Sequence, residues 1–130
     1  MYIHYNPNPY GLYVEDCVVR AICLATGRTW DDIYFHLCLQ GGIMGNMPSV
    51  NEVWGTYLST IGFSRYFLPD TCPVCYTVRD FCYDHPHGTY ILATNTHVIT
   101  VINGNYYDAW DSGSEVPLTV WRRDHHAGNE

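Results

Sequence analysis

The stretch Glu15-Asp16-Cys17-Val18-Val19-Arg20-Ala21-Ile22 decides the fold, because it places a cysteine at the first position of an apolar helix. Asp16 is a favourable N-cap, since its carboxylate can accept hydrogen bonds from first-turn N–H groups. The pattern predicts a helix over residues 17–26 that is apolar on most faces and surrounded by other elements. Cys17 then lies at the positive end of the helix dipole, where a thiolate is favoured over a thiol. Arg20 is expected to pair internally or to reach the surface.

The totals predict one globular domain over residues 1–130, since the chain is 47% hydrophobic and 15% charged. The net charge is −7 and the six basic residues are scattered arginines, which argues against nucleic acid and anionic membranes as partners. A peptide or protein substrate that presents a basic or amphipathic segment suits an acidic, aromatic surface better. No apolar run approaches the roughly 18 residues of a membrane span, and the first residues lack signal-peptide features, so we expect a cytoplasmic protein with reduced cysteines.

The pattern changes from helical to β-type near residue 63. The predicted helices cover residues 17–26, a segment from Thr29 to Gly41-Gly42, a segment from Ser49 to about Gly62 and a short segment from Thr77 to His85-Pro86. Ser49 with Glu52 and Thr77 with Asp80 predict capping boxes. The predicted strands cover residues 65–68, 89–94, 97–102, 105–110 and 118–122, after an extended surface leader over 1–15 and before a frayed polar tail over 124–130. Helices followed by strands predict an α+β fold, with N-terminal helices packed on a C-terminal antiparallel β-sheet.

A histidine and two aspartates follow Cys17 in the β-rich half. Nucleophilic cysteine chemistry needs a base within hydrogen-bond reach and a third group that orients the base. His97 begins a strand, and a two-residue turn at Asn103-Gly104 would place Asp108 diagonal to it on the same face. A three-residue turn would instead set Asp111 opposite the histidine. The pattern therefore predicts Cys17, His97 and Asp108 as catalytic residues, with Asp111 as the alternative.

Several motifs together resemble a known family. Asp16-Cys17 at a helix start, a histidine at a strand start and then Asp108-Ala109-Trp110 are similar to the papain-like cysteine peptidases, whose catalytic order is Cys, His, then Asn or Asp. The segments NPNP, DCVVRAI, HPHGTYILAT and HVITVINGNYYDAWDSG resemble small papain-like proteins of Firmicutes and their phages. The resemblance implies a papain-like fold and a thiol protease or amidase without a cofactor. It also implies a Cys17–His97 pair oriented by Asp108.

One feature of that family is missing. Papain-like enzymes commonly carry a Gln shortly before the nucleophile, where its amide completes the oxyanion hole, and no Gln precedes Cys17. Asn8 or Asn6 is predicted to act as the amide donor beside the Cys17 backbone N–H. If neither does, the second hypothesis applies, namely a catalytically relaxed papain-like fold that serves as a protein-binding or phage and mobile-element interaction module.

The sequence Cys72-Pro73-Val74-Cys75 permits a competing metal interpretation. Two thiolates in a tight turn can share one zinc ion, and Cys82 and His85 follow as possible further ligands. Their spacing is irregular, and Cys82 also falls on an apolar helix face. We therefore expect no metal, with zinc or redox chemistry at this pair as minor alternatives.

Overall fold

A six-stranded sheet with helices on both faces forms the fold of residues 1–123, the part of the chain that the computed structural model describes. The helices are α1 (Cys17–Thr26), α2 (Trp30–Met44), α3 (Asn51–Thr60) and α4 (Val78–Asp84). The strands are β1 (Tyr2–His4), β2 (Phe63–Phe67), β3 (Thr89–Ala93), β4 (Val98–Ile102), β5 (Asn105–Asp108) and β6 (Thr119–Arg123). None of these helices is long and apolar enough to cross a membrane. The predicted tail, residues 124–130, lies outside the described residues.

The strand order is β1-β5-β4-β3-β6-β2, and the α+β class predicted from the sequence is confirmed. The sheet is mixed, however, and the prediction of a purely antiparallel sheet is wrong. Residues 2–4 leave the predicted surface leader and pair in parallel with β5, with Tyr2 opposite Tyr106. The other neighbouring strands pair antiparallel.

The two faces of the sheet carry two apolar clusters. Side chains alternate along a strand, so Ile91 and Leu92 in β3 point to opposite faces. Helices α1, α2 and α3 pack on the Ile91 face, where buried Ile22, Leu37 and Leu58 meet it. Helix α4 covers the Leu92 face through other buried apolar side chains, including Val78 and Phe81. This arrangement holds α1 rigidly beside the central strands.

The predicted helix ends are confirmed in part. Helix α1 has the predicted bounds, and the Thr77–Asp80 capping box forms at the start of α4. The Ser49–Glu52 box does not form, because α3 begins at Asn51 after Val50 as N-cap. Helix α2 continues past the predicted glycine stop to Met44. A Cβ at Gly41 would lie 2.6 Å from the Asn46 carbonyl oxygen, so glycine permits the chain to fold back closely at the helix end.

The β4–β5 hairpin sets the register of the site. Asn103 and Gly104 adopt φ values of 50° and 78°, as a two-residue type I′ turn requires. Ile102 pairs with Asn105, and this confirms the predicted register. His97 lies directly before β4 and Asp108 is the last residue of β5. The turn chemistry therefore brings these two residues to the same end of the sheet.

Candidate active site

Cys17 is the first residue of α1, and its thiol lies beside the imidazole of His97 on one cavity. The side chain is half-buried and lines a large open cavity. Burial alone would raise the pKa of the thiol. The hydrogen bond and charge of His97, a backbone hydrogen bond at Val98 and the charge of Arg20 outweigh burial, so the pKa of Cys17 is lowered from its ordinary value of 9. The lowered pKa favours the thiolate form of Cys17.

His97 connects the thiol to a carboxylate. Its Nε2 lies 2.6 Å from Oδ2 of Asp108, which leaves Nδ1 for the hydrogen bond with Cys17. The side chain is only 11% exposed. Burial lowers the pKa of His97, but the hydrogen bonds and charges of Asp108 and Cys17 more than compensate and raise it to about 9. His97 is therefore protonated at neutral pH, and its positive charge favours the thiolate form of Cys17.

Asp108 is fully buried, and its carboxylate accepts four hydrogen bonds. His97 and the Ser112 hydroxyl, both at 2.6 Å, donate to Oδ2. Nη2 of Arg20 at 2.9 Å and the Ala109 N–H at 2.8 Å donate to Oδ1. Burial raises the pKa of this carboxyl, whereas its bonds to His97 and Ser112 and the nearby charges lower it overall. The carboxylate is therefore ionised and fixed in orientation.

Arg20 joins the carboxylate behind the histidine to the start of α1. Its Nη1 donates to Oδ1 of Asp16 at 2.5 Å, and Oδ2 of Asp16 accepts from Nε1 of Trp30 at 2.8 Å. Of the two expectations for Arg20, internal pairing is confirmed. The capping role predicted for Asp16 is wrong, because this residue is the N-cap by position but its side chain makes no cap hydrogen bond. The first-turn N–H groups of α1 are therefore left without a capping carboxylate.

The alternative carboxylate, Asp111, lies in a different cluster. It accepts hydrogen bonds from Tyr106 at 2.5 Å, from Arg79 at 3.2 Å and from the Gly113 N–H at 3.1 Å. None of these hydrogen bonds to Asp111 involves His97. The geometry thus favours Asp108 over Asp111 as the partner of the imidazole.

Trp110 covers the histidine. The two ring centroids are 4.8 Å apart with a 31° interplanar angle, and the indole remains 48% exposed. An apolar ring at this position keeps water from the His97–Asp108 hydrogen bond, which strengthens that bond. Trp110 also forms part of the cavity wall.

Asn6 and Asn8 lie in the leader, and their side chains form hydrogen bonds with its backbone. Nδ2 of Asn6 donates to the Leu12 carbonyl at 3.1 Å, and Oδ1 of Asn8 accepts from the N–H groups of Tyr10 and Leu12. Neither asparagine lines the cavity at Cys17. The structure therefore does not bring the predicted oxyanion amides to the sulfur. Residues 17–19, in the first turn of α1, do line the cavity, and their backbone N–H groups are the alternative candidate donors.

The cavity in front of Cys17 has a volume of about 820 Å³. One wall is aromatic, with Trp30 and Tyr34 stacked at 4.9 Å and Trp54 beside them. Residues 94–97, in the loop before β4, also line the cavity. An open groove of this size, lined by both aromatic and polar side chains, suits a peptide-sized ligand.

The predicted alternative zinc site is wrong. Cys72 and Cys75 are joined in a disulfide, so their sulfurs are not thiolate ligands, and the expectation that all cysteines are reduced fails at this pair. Cys82 is buried in the core on the α4 face, and Nδ1 of His85 donates to the Phe81 carbonyl at 2.9 Å. Within residues 1–123, no group of three or more His, Cys, Asp or Glu side chains is placed to hold a metal ion.

Ser112 escaped the sequence interpretation, and Arg20 was expected to pair internally but was not assigned to the site. Ser112 gives no local signal, since a serine after a strand is common in turns. Arg20 does give one, because it is a lone charge in an apolar helix, four residues after an acidic N-cap.

Comparisons of this chain with protein-family models, with curated proteins and with solved structures found no match.

Proposed function

We propose that this protein is a cysteine hydrolase of the papain-like type, a peptidase or amidase that works by acyl transfer. The observation that carries the proposal is the placement of Cys17 beside His97 on one cavity, with Nε2 of His97 2.6 Å from Oδ2 of Asp108. It unites a nucleophile, a base and an orienting carboxylate from three separate elements at the mouth of one groove. The papain-like fold is part of the same proposal and is supported by the order of these residues and by the sequence resemblance.

In the first half-reaction, the Cys17 thiolate attacks the substrate carbonyl carbon and forms a tetrahedral intermediate. First-turn N–H groups of α1 stabilise its oxyanion. Nδ1 of His97 then donates its proton to the leaving nitrogen, the C–N bond breaks and the amine departs. A thioester on Cys17 remains, and the imidazole is neutral.

In the second half-reaction, neutral His97 removes a proton from water while the water oxygen attacks the thioester carbonyl. The C–S bond breaks, the carboxylic acid leaves and the thiolate–imidazolium pair is restored. Asp108 keeps Nε2 in its donor role throughout, so that Nδ1 always faces the sulfur. Arg20 holds Asp108 from behind.

A second candidate function is a papain-like fold that binds a protein segment without turnover. It is favoured by one observation, the placement of Asn6 and Asn8 away from the groove, which leaves the oxyanion without either of the predicted amide donors. Loss of one donor typically costs about 100-fold to 1,000-fold in rate. Activated esters, which need less help than amides, are therefore the appropriate first substrates.

Acyl transfer predicts a covalent intermediate on one cysteine. After incubation with p-nitrophenyl acetate and an acid quench, peptide mass spectrometry should find an acetyl group on Cys17. Cys38, a half-buried thiol in α2, serves as the internal comparison. Equal acetylation of both cysteines would contradict the proposal. An acetyl-Cys17 that forms but never hydrolyses would favour the binding function.

The ion pair predicts an unusual titration of His97. By nuclear magnetic resonance, its imidazole should stay protonated up to a pH of about 9, where an ordinary histidine loses its proton near 6.5. Amide cleavage is then expected to fall as the pH drops through the lowered pKa of Cys17, and again as the pH rises through about 9. Asp108→Asn removes a charge that raises the pKa of His97, so its midpoint should move down towards 6.5.

The matched control for this titration is Asp111→Asn. Asp111 bonds Arg79 and Tyr106, so its replacement should leave the His97 midpoint where it is. A wild-type midpoint near 6.5, or an equal shift in the two variants, would argue against the proposed ion pair.

A further inference from the structure

We propose that a smaller cavity beside Arg65 binds a carboxylate of the peptide substrate, so that the groove selects peptides with an anionic group away from the reacting bond. The reacting position rests on the proposed function, whereas binding at Arg65 does not require catalysis. The proposal depends on three observations. Two cavities are continuous, the Arg65 guanidinium has no carboxylate partner among the described residues, and the charges along the groove are separated.

The smaller cavity, about 200 Å³ in volume, continues the groove that contains Cys17. The two cavities share five lining residues, which come from the start of α3 and the segment after β3: Asn51, Trp54, Ala93, Thr94 and Asn95. Beyond them, the smaller cavity reaches Arg65 and Phe67 in β2 and Trp121 in β6. A peptide that passes Cys17 can therefore extend along this path to Arg65.

Arg65 is held in place by aromatic rings. Its guanidinium carbon lies 4.8 Å from the centroid of the Phe67 ring and 5.7 Å from that of Trp121. Within residues 1–123, no carboxylate lies within ion-pair distance of Arg65. Stacking uses the faces of a guanidinium and leaves its N–H edges for hydrogen bonds, and a planar fork of this kind matches a carboxylate.

The charges along the groove are separated. Four residues with formally charged Asp, Glu or Arg side chains line the two cavities, and Asp16 and Arg20 neutralise each other in a buried pair. Glu15, beside Cys17, and Arg65, at the far end, remain without an ion-pair partner in the described part of the chain. In a protein of net charge −7, a substrate anion is repelled at the Glu15 end and attracted at Arg65.

The bound group can be a chain-terminal carboxylate or an acidic side chain, and paired probes distinguish the two. Four N-acetyl tetrapeptides based on Phe and Ala are titrated against Cys17→Ala protein, in which turnover is prevented. The two peptides of the first pair differ only at the C-terminus, which is a free carboxylate in one and an amide in the other. Both peptides of the second pair have an amide C-terminus, and the last residue is Glu in one and Gln in the other. Indole N–H resonances of Trp54 and Trp121 report binding, since both residues line the smaller cavity.

At least one carboxylate probe should bind about 3-fold to 10-fold more tightly than its neutral partner, a modest ratio because Arg65 is solvent-exposed. The pair that shows the preference identifies the source of the carboxylate. The preference should weaken as salt is added. Equal binding within both pairs, or no binding of any of the four peptides, would overturn the proposal.

Arg65→Gln should abolish the preference and leave the affinity for the neutral peptides unchanged. The matched control is Arg123→Gln, because Arg123 also lies over an aromatic ring, that of Phe63 at 4.9 Å, but lines neither cavity. A preference that survives Arg65→Gln would show that another group binds the carboxylate. The peptide binding is measured without turnover, so the two proposals can fail separately. Absence of acetylation at Cys17 would contradict the proposed function but not carboxylate binding at Arg65. Absence of the carboxylate preference would contradict binding at Arg65 but not the proposed function.

Discussion

Protein with Cys17→Ala is expected to hydrolyse p-nitrophenyl acetate at the uncatalysed rate, a loss of at least about 10³-fold relative to wild type. The reason is that Cys17 is the only thiol among the described residues that line the groove. The hydroxyls there are far weaker nucleophiles than a thiolate, and His97, paired with Asp108, is largely protonated at neutral pH and contributes little by itself. Release of p-nitrophenolate under steady-state conditions measures the effect.

The other free cysteines supply the control. Burial raises the pKa of Cys23 to about 12 and that of Cys82 to about 11, so neither thiol is reactive at neutral pH. Cys38→Ser should keep full activity, because this residue does not line the groove. If Cys17→Ala protein retained a tenth or more of the wild-type rate, Cys17 would not be the nucleophile.

Arg20→Met is expected to lower the free energy of unfolding by about 3–5 kcal/mol, the usual cost when one partner of a buried ion pair is removed. Arg20 is buried and bonds two carboxylates, Asp16 at 2.5 Å and Asp108 at 2.9 Å. Methionine has a similar length but leaves both carboxylates without their cation. Urea denaturation, with the midpoint and slope fitted together, measures the change.

Arg28→Met is the matched control for this measurement. Arg28 also pairs with an aspartate four residues away, Asp32 at 3.4 Å, but both side chains are largely exposed. An exposed pair of this kind contributes at most about 0.5 kcal/mol. A loss below about 1 kcal/mol for Arg20→Met would mean that the buried network does not stabilise the fold as inferred here.

Local signals explain why much of the candidate site was predictable. The Asn103-Gly104 turn dictates the hairpin register through its positive φ values, and that register selects Asp108 over Asp111. Cys17 was placed correctly at the start of α1 because an apolar run after an acidic residue is a strong helix signal. Both features depend on residues that are close together in the sequence.

The remaining features depend on contacts between distant residues. The three residues of β1 give no strand signal of their own, and their parallel pairing exists only because the edge of β5 is open. Asp16 was expected to cap its helix, but Arg20 and Trp30 compete successfully for its carboxylate. The amides predicted to complete the oxyanion hole bond instead to nearby leader backbone groups. A pattern of residue types does not show which of several possible partners a side chain will bond.

The claim that Cys17 and His97 form a reactive ion pair is tested most directly by the pH dependence of thiol alkylation. Cys17 is alkylated with iodoacetamide over a pH series, and the rate at this residue is followed by peptide mass spectrometry. In wild type, the rate should hold a plateau well below pH 9, the ordinary pKa of a thiol, and fall only under more acidic conditions. In His97→Ala protein, the midpoint should move up towards the ordinary value or beyond it. A Cys17 rate that rises through the ordinary thiol range, with the same midpoint in both proteins, would contradict the account.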